Sequence, residues 1–295
     1  MKKTVFQGAA TALITPMNEQ GVNYPALKKL IDWQIEEGID ALVICGTTGE
    51  GATLSDQEHR EVLQFALEAA AGRVPMIAGT GSNDTAYAID MTRHACEMGY
   101  DAVLVVTPYY NKATQKGLIA SFTAIAKAST KPVILYNVPS RTGVSIEPAT
   151  AAKLAEVENI VAIKEASGNI SKVVELAALA GDKLDIYSGN DDQIVPIMAC
   201  GGVGVISVLS NVLPKETSQM CHKMLQGDVA GAMEMQKQYL GLTNALFSEV
   251  NPIPVKAAMA HLGFCENYLR LPLTPMEKDH EEKLLAYMRE AGLQV

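Results

Sequence analysis

The 295-residue chain has no C-x-x-C pair. Its five cysteines, Cys45, Cys96, Cys200, Cys221 and Cys265, are odd in number and widely spaced. That pattern argues against a disulfide framework and against a zinc knuckle, and reads as small buried hydrophobes in a reducing compartment. Histidine is sparse as well. His59, His94, His222, His261 and His280 fall on segments of helical period, none at H-E-x-x-H spacing, so neither a histidine triad nor a catalytic zinc is expected. No G-x-x-x-x-G-K-[ST] loop offers a nucleotide cradle, and no run reaches the ~20 apolar residues of a membrane helix. With a net charge of −9 the surface would repel nucleic-acid phosphates. What remains is a cytoplasmic protein that needs no metal and no cofactor.

What is present is a large apolar share, 48% of residues, enough to build a sizeable core. Short β-branched runs alternate with longer segments of helical period. The strand candidates are Gly8–Ile14, Ala41–Cys45, Pro75–Gly79, Ala102–Val106, Val133–Tyr136, Ile160–Lys164, Leu184–Ser188 and Val203–Val208. They read as continuous apolar runs, as expected of parallel strands covered on both faces. Met1-Lys2-Lys3 ahead of the first has the outline of a secretory signal, but Gln7, Gly8 and Thr11 interrupt the apolar stretch, so a first strand is the better reading.

Helices are expected at Tyr24–Glu37, from the Ser55/Glu58 capping box to Ala71, after an Asp84 cap, and at Gln115–Ala128, Pro148–Ala155, Ser171–Ala180, Asp192–Ala199 and Lys215–Gln226. Eight such repeats point to a (β/α)8 TIM barrel over residues 1–227; the alternative, a doubly wound open sheet, seldom supplies eight evenly paired units. Residues 228–295 carry helical period at Asp228–Phe247, near Pro254 and at Glu277–Ala291. They read as a C-terminal helical extension beside the barrel, with no linker between.

A barrel enzyme builds its site at the C-terminal ends of its strands. Gly46-Thr47-Thr48-Gly49-Glu50 follows the second strand, Tyr109 and Tyr110 the fourth, and Arg141 the fifth, which ends in Tyr136. The sixth ends in Lys164, the seventh in Ser188-Gly189-Asn190. Gly201-Gly202-x-Gly204 precedes the eighth strand, at the opposite face, and reads as a tight turn.

Lys164 is out of place in an apolar run. Desolvation there disfavours an ammonium and favours the free amine that attacks a ketone. Its bland alternative is a rim lysine paired with Glu50 or Glu165. Tyr136 can shuttle protons or simply belong to the core. Thr47 and Thr48 can cradle a carboxylate or merely turn the chain, and Arg141 can grip a carboxylate or lie loose on the surface. Together, with no phosphate loop or metal motif, these groups suit carbon–carbon bond chemistry on a small α-keto acid.

Four segments, Gly46-Thr-Thr-Gly-Glu50, Tyr136-Asn-Val-Pro-Ser-Arg-Thr-Gly143, Ile163-Lys-Glu-Ala166 and Asn251-Pro-Ile-Pro-Val-Lys256, resemble the dihydrodipicolinate synthases. These belong to the pyruvate-dependent class I aldolase family that includes N-acetylneuraminate lyase. The likeness runs from Gly8 to the Leu271-Pro-Leu-Thr-Pro275 stretch.

The resemblance implies condensation of pyruvate with L-aspartate 4-semialdehyde in lysine and diaminopimelate biosynthesis. It assigns the imine to Lys164 and a proton relay to Tyr136, Thr48 and Tyr110, with Tyr110 entering a neighbouring subunit's site. It gives Thr47 and Thr48 the pyruvate carboxylate, Arg141 the semialdehyde, and Gly189 and Ile206 the pocket lining. A homotetramer built from tight dimers is implied.

Ala52, His59, Asn83 and Tyr109 match the family's allosteric lysine pocket. Asp56 and Tyr87 depart from it, replacing a histidine of the lysine-sensitive form and the glutamate that holds the inhibitor's α-amino group. The rivals are a sister aldolase cleaving N-acetylneuraminate or a 2-keto-3-deoxy sugar acid, against which Arg141 speaks, and a non-catalytic pyruvate-binding paralogue.

Overall fold

The structure, a computed structural model, describes residues 4–295. Met1-Lys2-Lys3, the basic end of the signal-like segment, lies outside the described residues. Eight parallel strands close into a barrel: β1 (Gly8–Ala12), β2 (Ala41–Ile44), β3 (Met76–Gly79), β4 (Ala102–Val106), β5 (Val133–Asn137), β6 (Ile160–Glu165), β7 (Asp185–Ser188) and β8 (Gly204–Ser207). Each pairs with its sequence neighbours, and β8 closes on β1 through Gly8↔Gly204 to Thr11↔Ser207.

Alternation along each strand sorts side chains to two faces. Ala10, Ala12, Ala41, Val43, Ile77, Ala102, Leu104, Ile134, Ala162, Tyr187 and Ile206 fill the interior. The opposite faces pack against the helices in a second, larger core. Phe6 stacks on Tyr187 within this interior cluster, with ring centroids 4.3 Å apart.

The helices around the barrel are α1 (Tyr24–Glu36), α2 (Asp56–Ala70), α3 (Thr85–Met98), α4 (Gln115–Ala128), α5 (Pro148–Leu154), α6 (Ile170–Ala180), α7 (Ile194–Ala199) and α8 (Pro214–Leu225). Ser55 and Glu58 form the expected capping box on α2, and Asp84 caps α3 through the Ala86 N–H.

Four more helices follow: α9 (Val229–Gln238), α10 (Leu240–Ala245), α11 (Ile253–His261) and α12 (Lys278–Glu290). The single helix expected over Asp228–Phe247 is therefore broken at Tyr239. A two-stranded hairpin, Met17–Asn18 with Gly21–Val22, was not expected, nor was the one-turn helix Pro139–Thr142. Both are shorter than any hydrophobic period can register. All five cysteines are free, but only Cys45 and Cys221 are buried; the other three are half-exposed. No helix among the described residues is long and apolar enough to cross a membrane.

Arg270, beyond α11, ties this C-terminal region to the barrel. Its guanidinium donates to both Glu58 carboxylate oxygens, at 2.8 and 2.5 Å, and to the Thr53 carbonyl at 2.8 Å. The Arg270 bonds hold the Glu58 carboxyl down at about 2, below its usual 4.5. Because the folded value is depressed, the stabilisation is fully present above about pH 4.5 and is lost as pH falls toward 2. The gap in urea midpoint between the native chain and Glu58→Gln should therefore be constant from pH 7 to 6 and shrink below pH 4.5. A gap unchanged down to pH 3 would contradict this coupling.

Candidate active site

Lys164 follows Ala162 by two positions on β6, so alternation turns its side chain into the barrel. It is 5% exposed. On β5, Tyr136 follows Ile134 in the same way and pairs in register with Lys164. The Lys164 Nζ lies 4.4 Å from the centre of the Tyr136 ring, so amine and phenol occupy one spot at the strand ends.

Gly189, just past β7, makes room for the lysine. A Cβ there would lie 2.7 Å from the Ala166 Cβ and 3.1 Å from the Lys164 Cγ. Ile206 is fully buried in the same interior cluster as Tyr136.

Neither ion pair considered as the bland alternative for Lys164 forms. Glu165 points to the other face of β6 and accepts from the Asn137 amide at 2.8 Å and the Ser167 N–H at 2.7 Å. Glu50 pairs instead with Lys256 of α11, and both side chains are sealed from solvent. Burial pulls the Lys256 ammonium below the usual lysine range, and Glu50 opposes that shift. Lys256 also donates to the Tyr268 carbonyl at 2.7 Å.

The pair anchors the turn that carries Thr47 and Thr48. That turn folds back tightly on Cys45: a Cβ at Gly51 would sit 2.4 Å from the Cys45 carbonyl oxygen. Thr48 is buried, and its Oγ1 accepts from the Asn251 side-chain amide at 3.0 Å. Arg141 donates to the Asn251 carbonyl at 3.1 Å, so it is neither free nor pointed away.

A cavity of about 470 Å³ opens at these strand ends. Thr47, Tyr136 and Arg141 line it, Thr48 is the next residue along, and Lys164 stands beside Tyr136. Asp191, after β7, is also buried close to Lys164. Its carboxylate accepts the Val208 and Leu209 N–H groups at 2.9 and 3.0 Å, and burial raises its proton affinity. It braces the end of β8.

The same cavity continues past Ala52, His59, Tyr87 and Tyr109. Burial lowers the His59 proton affinity, and its Nε2 contacts the Gly79 carbonyl at 2.9 Å. Asn83 is not in the wall; its carbonyl accepts from Asn111 at 3.0 Å and supports the loop bearing the two tyrosines. Asp56 is gripped by Arg60 at 3.0 and 3.1 Å. The Tyr87 phenol is pushed up to about 12 by burial, then by the nearby Asp56 carboxylate.

Tyr110, also expected to be catalytic, points away from the cavity in the single chain. It is 89% exposed and stands on a loop where it and Lys112 have φ values of 71° and 52°.

Sequence reasoning missed Asn251 and Lys256 as parts of this site. Lys256 carried the same signal as Lys164, a lysine in an apolar run, but on a helix rather than at a strand end. Among the described residues, no three His, Cys, Asp or Glu side chains gather as a metal site.

Residues 5–291 match the model of the dihydrodipicolinate synthetase family. The 4-hydroxy-tetrahydrodipicolinate synthase of Lachnoclostridium phytofermentans is 56% identical over 291 residues, covering 98% of this chain and 99% of that one. Among solved structures, the pyruvate complex of the chloride-inhibited dihydrodipicolinate synthase from Acinetobacter baumannii superposes with a TM-score of 0.96 at 43% identity, covering 99% of this chain and 100% of that one. The lysine-bound DHDPS of Cyanidioschyzon merolae gives 0.95 at 40% identity, again covering 99% and 100%. The chain belongs to the dihydrodipicolinate synthetase family.

Proposed function

We propose that the protein condenses pyruvate with L-aspartate 4-semialdehyde to 4-hydroxy-tetrahydrodipicolinate, in the cytoplasm, for lysine and diaminopimelate synthesis. The observation that carries this reading is the buried Lys164 amine, set against the Tyr136 ring at the end of β6. The names of the family relatives supply the substrates.

In this scheme the Lys164 Nζ lone pair attacks C2 of pyruvate. The carbinolamine loses water to give an imine, and a methyl proton then leaves to give the enamine. The enamine carbon attacks the aldehyde carbon of the semialdehyde, whose oxygen takes up a proton. The amine of the adduct displaces Lys164 by transimination, closing the ring and freeing the enzyme.

Tyr136, Thr48 and Tyr110 move the protons. Thr47 and Thr48 hold the pyruvate carboxylate, and Arg141 that of the semialdehyde. Gly189 and Ile206 shape the pocket around the imine. Tyr110 serves a second copy of the chain, which its 89% exposure on a projecting loop supports. The working assembly is then a homotetramer of tight dimers, each subunit a barrel of residues 1–227 with a helical extension of 228–295.

The part of the cavity near His59 and Tyr109 corresponds to the inhibitor pocket, together with Ala52 and Asn83. Here Asp56 is already paired with Arg60, and Tyr87 brings a phenol where the inhibitor's α-ammonium would need a carboxylate. Feedback by lysine is weak or absent.

Reduced-nicotinamide oxidation, coupled through dihydrodipicolinate reductase, should proceed steadily with both substrates present. No oxidation with an active coupling enzyme would overturn the assignment. Lys164→Ala should abolish borohydride trapping of pyruvate; persistent trapping would put the imine on another amine. Tyr136→Phe should lower kcat by about 10²-fold, as for a lost proton-transfer group, and an unchanged rate would remove the phenol from the relay. Sub-millimolar lysine should leave the rate unaltered, whereas inhibition in that range would show that Tyr87 and Asp56 still admit it.

A further inference from the structure

The Asn251–Lys256 segment has no chemical part in the scheme above, yet it touches the site at two points. Lys256 neutralises Glu50, two residues past Thr48. Asn251, 5% exposed, uses its side-chain amide on the Thr48 oxygen and its main-chain carbonyl on Arg141. Its Oδ1 is buried with no protein partner. Nothing about barrel packing requires a polar side chain there, and a buried amide left half-satisfied is costly.

A threonine hydroxyl has one proton to give and two lone pairs to receive with. The Asn251 Nδ2 gives a proton to Thr48 and cannot take one back. One lone pair of Oγ1 is thereby occupied, and the Thr48 proton must be directed elsewhere.

We propose that Asn251 is a positioning residue that sets the direction of proton transfer. By donating to Thr48 it makes the hydroxyl a donor toward the reacting groups, and its carbonyl fixes Arg141 in the same stroke. The inference rests on the reading of Thr48 as a relay member. It makes the extension part of the catalytic apparatus.

The test replaces donor by acceptor at nearly constant shape. In Asn251→Asp an ionised carboxylate would draw the Thr48 proton to itself. Turnover per borohydride-trappable site should fall roughly 10- to 100-fold, a share of what positioned proton transfer contributes. KM for pyruvate should change little. The loss should reverse on acidification, as the introduced carboxyl gains a proton and donates again; damage to packing alone would not recover this way.

Asn251→Ala supplies a second measurement that needs no titration. Combined with Thr48→Val, it should add nothing to the loss from Thr48→Val alone, because both act through one hydroxyl. Parent-like turnover in Asn251→Asp, a loss that ignores pH, or fully additive losses in the double variant would each overturn the proposal. Thr48→Val with undiminished turnover is a different failure: it would sink the relay assignment itself.

Discussion

Two opposite charges with no access to water, Glu50 and Lys256, hold the site together. A buried pair of this kind offers little net stability over an apolar one. Removing one partner, however, strands the other at a cost of about 3–5 kcal/mol. The turn after β2 and the helix α11 are thus obliged to meet, although some 200 residues separate them. Once they meet, Asn251 is delivered to Thr48 and Arg141. The barrel supplies the lysine and the tyrosine by strand alternation alone; the carboxylate side of the pocket depends on this long-range contact.

The two halves of the site therefore differ in kind. Lys164, Tyr136, Gly189 and Ile206 are placed by hydrogen-bonded strands and the packed interior, where register leaves no freedom. Thr47 and Thr48 stand on a turn and Arg141 on the one-turn helix Pro139–Thr142, and Thr48 and Arg141 are each bonded to Asn251. The Glu50–Lys256 pair and, further out, Arg270 on Glu58 flank them. In the proposed reaction the substrate carboxylates meet the turn-borne half and the reacting carbon the strand-borne half.

The barrel was legible because its signals are local. Continuous apolar runs marked the eight strands, Ser55 and Asp84 marked helix starts, and a lysine closing Ile160–Ile163 marked the proposed nucleophile. What escaped was either too short to show a period, as at Met17–Val22 and Pro139–Thr142, or decided by contacts distant in sequence. Glu50 illustrates the second case. Its position invited a pairing with Lys164, and only the packing of α11 reveals Lys256 as its partner. Tyr239 broke a helix that periodicity alone had continued: α9 packs on α7 and α8, whereas α10 packs on α12.

The order of the chain gives the Asn251 contact a temporal meaning. A ribosome releases Lys164, Tyr136, Thr47 and Thr48 before Asn251 and Lys256 emerge. During that interval Glu50 lacks its ammonium partner and the Thr48 hydroxyl its amide. Under the proposed scheme the Lys164 amine thus emerges before the two residues that steady the Thr48 and Arg141 side of the site.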